Sequence, residues 1–151
     1  MALPSEIFDQ IKALIVSCLP VDYKQLENPF LPEDNASNLW NRAFGVAIGP
    51  GVNLELFAGC AKISCQRDFE VSLVNKLNTT QNNIAKKDDQ QKAMLEDMMS
   101  IKKCFEADPD LDSVCSKCVY TADGGVEFID SERGKYLLMT AILQCTFFDD
   151  L

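Results

Sequence analysis

The chain has 151 residues, with 14 Lys and Arg against 23 Asp and Glu, a net charge of −9 and no histidine. That length suits one domain over residues 1–151 with an ordinary core, and the acidity excludes a binder of phosphate backbones, which needs clustered Lys and Arg. Without histidine there is no Ser–His or Cys–His dyad and no His-containing metal site, so the chain reads as a non-enzyme.

Pro4, Glu6 and Asp9 interrupt the N-terminus before any apolar run of secretory-signal length. No stretch reaches the eighteen or so apolar residues of a membrane span. Seven cysteines without an export signal read as reduced thiols of a protein made in the cytoplasm.

Ser5 can cap a first helix running to about Leu19, whose apolar stripe is Ile7, Phe8, Ile11, Leu14, Ile15, Cys18 and Leu19. Pro20 stops it. Asp22 to Asn41, with Pro29 and Pro32, reads as an irregular excursion anchored by Phe30, Leu31 and Trp40. Arg42 to Gly49 reads as a compact strand with Phe44, Val46 and Ile48 on one side. Ala43, Gly45 and Ala47 make a small-residue face that a helix can approach. Gly49-Pro50-Gly51 is expected to break this strand and begin a connection from Val52 to Gly59.

A second long strand is expected over Ala61–Leu77. Phe69, Val71, Leu73 and Leu77 form a core face; Gln66, Asp68, Glu70, Ser72 and Lys76 form a wet one. A second helix, about Asp88 to Glu106, carries Met94, Leu95, Met98, Ile101 and Phe105 on one side and ends at Asp108-Pro109-Asp110. Val114–Thr121 reads as a strand, and Asp123-Gly124-Gly125 as a turn. The closing strand is the strongest signal: Leu137, Met139, Ala141, Leu143, Cys145 and Phe147 are apolar at every odd position. Its length and its half-polar second face suggest a sheet that goes on to meet another subunit. The predicted class is α+β: helix-strand-strand-helix-strand-strand, a mostly antiparallel sheet with both helices on one face.

Cys115 and Cys118, with Cys60 and Cys65, are candidates for a four-thiolate zinc site. They also read as small apolar residues, because opposite parity along a strand would send the thiols of each pair to opposite faces. A redox role for the CxxC has less support, since no helix N-terminus follows it. Asp68 and Glu70 share a strand face, but that face is polar throughout and reads as solvated rather than as an acid/base pair. The Asp108–Asp112 and Asp123–Gly125 stretches lack EF-hand spacing and read as turn chemistry. Met94, Met98 and Met99 read as a core stripe in which Met99 is surplus. No cofactor is expected.

Four pieces together resemble the tail terminator (tail completion) proteins of long-tailed bacteriophages with non-contractile tails. They are the opening amphipathic helix, RAFGVAIG at Arg42–Gly49, DFEVSLV at Asp68–Val74, and YTADGGVEF with KYLLMTAILQCTFF between Tyr120 and Phe148. The resemblance implies a structural virion protein, a homohexameric ring at the head-proximal end of the tail. It would stop tube polymerisation and offer a surface to the head completion or connector protein. DNA would pass through without specific binding.

On that resemblance, Val52, Leu54, Leu56 and Phe57 are candidates for contact with the tube protein or a neighbouring subunit. Asp68, Glu70 and Ser72 are candidates to face the channel. Six copies would multiply the charge of −9, and any share lining the bore would repel DNA. The alternatives are a small acidic protein-binding module and a cysteine-ligated zinc-binding domain.

Overall fold

Five strands form one sheet in the order β1-β2-β3-β5-β4, with two helices on one of its faces. The computed structural model describes residues 4–20, 23–25, 42–57, 62–77, 84–131 and 134–150. The elements are α1 (Pro4–Cys18), β1 (Lys24–Gln25), β2 (Ala43–Phe57), β3 (Lys62–Lys76), α2 (Ile84–Ala107), β4 (Lys117–Ser131) and β5 (Gly134–Asp150). All strand pairs are antiparallel except the two-residue β1, which runs parallel to β2. The class is α+β, as the periodicities predict, with β1 added to the expected order.

α1 starts at Pro4, where a missing N–H costs nothing, so Ser5 lies inside the first turn rather than capping it. Ile7, Ile11 and Ile15 recur every fourth residue and are fully buried, with Phe8 and Leu14 at the flanks of the stripe. α2 buries Met94, Met98, Ile101 and Phe105, and Met99 packs partly against the same core. Leu95 is an exception to the predicted stripe: it is 45% exposed.

The helices cover the face built by Phe44 and Val46 of β2, Phe69, Val71 and Leu73 of β3, and the odd residues Leu137–Phe147 of β5. They therefore pack on the large residues of β2, not on the small-residue face Ala43, Gly45 and Ala47. Large side chains fill the gap between layers, and the small ones lie on the other side. Phe8 stacks on Phe69 with centroids 6.2 Å apart, extending that layer.

Two expectations about strand ends are corrected. β2 does not stop at Gly49-Pro50-Gly51 but continues to Phe57, with register shifts between Ile48 and Gly51 and again between Asn53 and Glu55. β4 likewise runs through Asp123-Gly124-Gly125, which form a bulge between the pairs Asp123↔Ala141 and Val126↔Met139. Gly125 has φ 73° and its N–H donates to Asp123 Oδ1 at 3.0 Å. Turn residues here bend a strand rather than end it.

Of the expected Asp22–Asn41 excursion, Lys24-Gln25 forms β1 and Tyr23 precedes it. The anchors Phe30, Leu31 and Trp40 lie outside the described residues.

Candidate functional site

Two edges of the sheet have no neighbouring strand among the described residues. One is β4 along its whole length. The other is β2 from Gly45 onward, because β1 pairs only with Ala43 and Phe44. Large apolar side chains are exposed on both: Ile48 (58%) and Val52 (54%) on β2, Phe128 (57%) and Val119 on β4. An unpaired edge is a row of free N–H and C=O groups, and apolar side chains beside it favour pairing with another chain.

Both edges are also interrupted. Pro50 cannot donate a hydrogen bond, and the bulges at Gly49-Pro50 and Gly124-Gly125 break each edge into shorter runs. Arg67 holds the first bulge by donating from Nη1 to Gly49 O at 2.9 Å. Asp123 holds the second, also accepting from the Tyr120 hydroxyl at 2.9 Å. Burial and that carboxylate push the Tyr120 phenol well above its ordinary range.

The interface candidates Val52, Leu54, Leu56 and Phe57 thus belong to a strand, not to a connection. Leu56 and Phe57 pair with Ile63 and Lys62 of β3.

The sheet face away from the helices is not uniformly wet. At one end Ala43, Val74 and Tyr136 form a buried apolar cluster, with Ile129 and Leu138 against it. Ser72, expected to be solvated, is 5% exposed and shares a hydrogen bond of 2.9 Å with Thr140 on β5. A buried hydroxyl must find a partner, and the cross-strand threonine supplies one. Asp68 and Glu70 are half-buried on the same face, and Gln144 Nε2 donates to Asp68 Oδ1 at 3.5 Å. Gln66, Thr140, Ile142 and Thr146 are also half-buried there, and Phe148 is exposed.

Where the short β1 meets the helical layer, the Tyr23 hydroxyl donates to Asp97 Oδ2 at 2.5 Å. Arg42 lies over the Tyr23 ring and 3.9 Å from the same carboxylate. Burial, then the Asp97 hydrogen bond, push the Tyr23 phenol far up, so it stays protonated and acts as a tether from α2 to the sheet.

The cysteines depart most from expectation. Cys18 at the end of α1 and Cys104 in α2 are joined in a disulfide with Cα atoms 6.4 Å apart, so they are not reduced thiols. The helix stripe put Cys18 on the buried side of α1; only the packing of the two helices brings Cys104 to it.

Cys115 and Cys118 are both buried in one core, not turned to opposite faces. Parity fails because Cys115 precedes β4, in a turn where Leu111, Asp112 and Ser113 all have positive φ. That turn is held by Asp112 N–H on Asp108 Oδ1 and Cys115 N–H on Asp110 O. Asp108 and Asp112 are thus turn chemistry, as read.

Cys145, read only as a strand residue, lies directly across from Cys118, with the sulfurs 2.8 Å apart. Cys145 also hydrogen-bonds Cys115. Those two bonds and burial push the Cys145 thiol far up, and the bond from Cys145 pulls Cys115 down. The signal that could have found it is the shared apolar parity of Cys118 and Cys145 on neighbouring strands.

Cys65 is half-buried with its thiol on Asn53 Oδ1 at 3.4 Å, and Cys60 lies outside the described residues. Among the described residues, no group of three His, Cys, Asp or Glu side chains is placed to hold a metal ion. No described helix is long and apolar enough to cross a membrane.

No protein-family model matches the chain, and comparison with curated proteins finds none significantly similar to it.

Proposed function

We propose that this chain is a ring-forming structural subunit, a terminator that caps the head-proximal end of a phage tail tube and receives the head-side connector. The observation that carries the reading is the pair of unpaired edges, β4 and the distal part of β2, each with exposed apolar side chains. The two edges differ in sequence, so pairing one with the other on the next copy is heterologous, and such contacts close into rings when the rotation closes. Helices on one face leave the other free to turn toward a bore. Asp68 and Glu70 would then present carboxylates to passing DNA.

The bulges and Pro50 give a reason for such a subunit to stay unassembled alone. Interrupted edges pair poorly until a template fixes their register. The same edges would accept an extended peptide strand, which is the form that the alternative, a protein-binding module, takes on this sheet.

Labelling the protein in intact virions tests the reading. The label is expected at the junction of head and tail. Label along the whole tube, at the distal tip, or absent from virions would overturn it.

A further inference from the structure

Three buried thiols, Cys115, Cys118 and Cys145, meet at the start of β4, and nothing in the ring reading uses them. Cys118 and Cys145 are directly opposed on antiparallel strands, and both are almost wholly buried. Residues opposed in this way have Cα atoms about 4.5–5.5 Å apart, inside the range of about 4.4–6.8 Å that a disulfide tolerates. Their sulfurs are 2.8 Å apart, so closing to a bond of about 2.05 Å needs only a small side-chain rotation and no backbone movement.

Cys115 is the most accessible of the three, at 8% exposure, and it is held against Cys145 by the left-handed turn at Leu111–Ser113. The lowering of its thiol by the Cys145 hydrogen bond favours the thiolate there, while Cys145 keeps its proton. The group therefore has an outer nucleophile, a central donor and an inner partner. The chain already carries one disulfide, between Cys18 and Cys104, at the other end of the segment that leads to Cys118.

We propose that Cys118 and Cys145 form a second, cross-strand disulfide when the protein meets a peroxide, with Cys115 as the thiol that reacts first. The Cys115 sulfur attacks the peroxide oxygen; the S–O bond forms, the O–O bond breaks, and hydroxide leaves as water with the Cys115 proton. Cys145 then attacks the Cys115 sulfenic sulfur, its proton leaves with the hydroxide as a second water, and a Cys115–Cys145 disulfide results. Cys118 attacks the Cys145 sulfur, closing Cys118–Cys145 and returning Cys115 as a thiol that takes the Cys118 proton. In sum, two thiols are oxidised and one hydrogen peroxide is reduced to two waters. The product fixes edge strand β4 covalently to β5 at its first residues.

The experiment treats the native full chain with a slight excess of hydrogen peroxide, blocks remaining thiols with N-ethylmaleimide and maps the peptides by mass. The expected result is a linked Cys118–Cys145 peptide with Cys115 alkylated, and slower amide exchange at residues 117–120. Dimedone present from the start should trap a sulfenic acid on Cys115 first. Cys115→Ser should give the same link at a rate lower by about tenfold. Alkylated Cys118 and Cys145 after Cys115 has been oxidised further, or a Cys115–Cys118 link as the end product, would overturn the proposal. So would first trapping on Cys118 or Cys145. Dimedone mapping uses the unmutated protein, so the test stands even if Cys115→Ser does not fold.

Discussion

Arg67 holds the bulge of β2 in place: its guanidinium lies over Gly51 and donates to the carbonyl of Gly49 at 2.9 Å. A Cβ on Gly51 would come within 2.6 Å of that guanidinium, the far end of a flexible side chain. Gly51→Ala should therefore displace Arg67 rather than the backbone, and cost about 1 kcal/mol through the lost hydrogen bond. Arg67→Ala should cost a similar amount, and the double variant hardly more than either, because both remove one interaction. Denaturant melts of the three variants check this. Fully additive losses would show that Gly51 and Arg67 act separately.

The same relationship explains why β2 was only half legible. Gly-Pro-Gly is what a chain break looks like in sequence, and Asp-Gly-Gly is what a turn looks like. A bulge uses the same residues for the same local reasons, a positive φ or a missing N–H. Only the partner strand, with Arg67 opposite Gly51 and Ala141 opposite Asp123, distinguishes them. Elements whose pattern rests on long apolar periodicity were legible: the Ile7–Ile11–Ile15 stripe, Phe69–Leu73, and Leu137–Phe147. The Cys18–Cys104 bond and the sulfur cluster were not, because both depend on how separate elements pack. Ser72 was misread as solvated because its burial comes from β5, not from its own strand.

Leu143→Asp should abolish folding. Leu143 is fully buried at the centre of β5, beneath both helices. An unpaired carboxylate there costs several kcal/mol, comparable with the roughly 5–15 kcal/mol stability of a small domain. Soluble yield and a thermal melt by circular dichroism check the prediction; a soluble variant with a cooperative melt contradicts it.

The Cys18–Cys104 disulfide closes a loop between residues 86 apart in sequence. Replacing both by serine should lower stability by about 2–4 kcal/mol, mainly by freeing the unfolded chain. In denaturant, reduction of the unmutated protein should release two further thiols. A thiol count unchanged by reduction would show that the bond is absent.

Asp68 and Glu70 lie two residues apart, half-buried on the sheet face opposite the helices, and neither belongs to the apolar core. Asp68→Lys with Glu70→Lys should leave a stable subunit that assembles, since only the contact of Asp68 with Gln144 is lost. On the ring reading, the new charges would attract DNA in the bore and slow its ejection from virions, an effect relieved by salt. Ejection at the normal rate from virions carrying the variant would place this face away from the channel.

The length of tail tubes made without this protein tests the terminator reading most directly. Electron micrographs of particles from a phage lacking the gene should show tubes of irregular, often excessive length, and heads with no tail attached. Tails of normal, uniform length joined to heads would contradict the account.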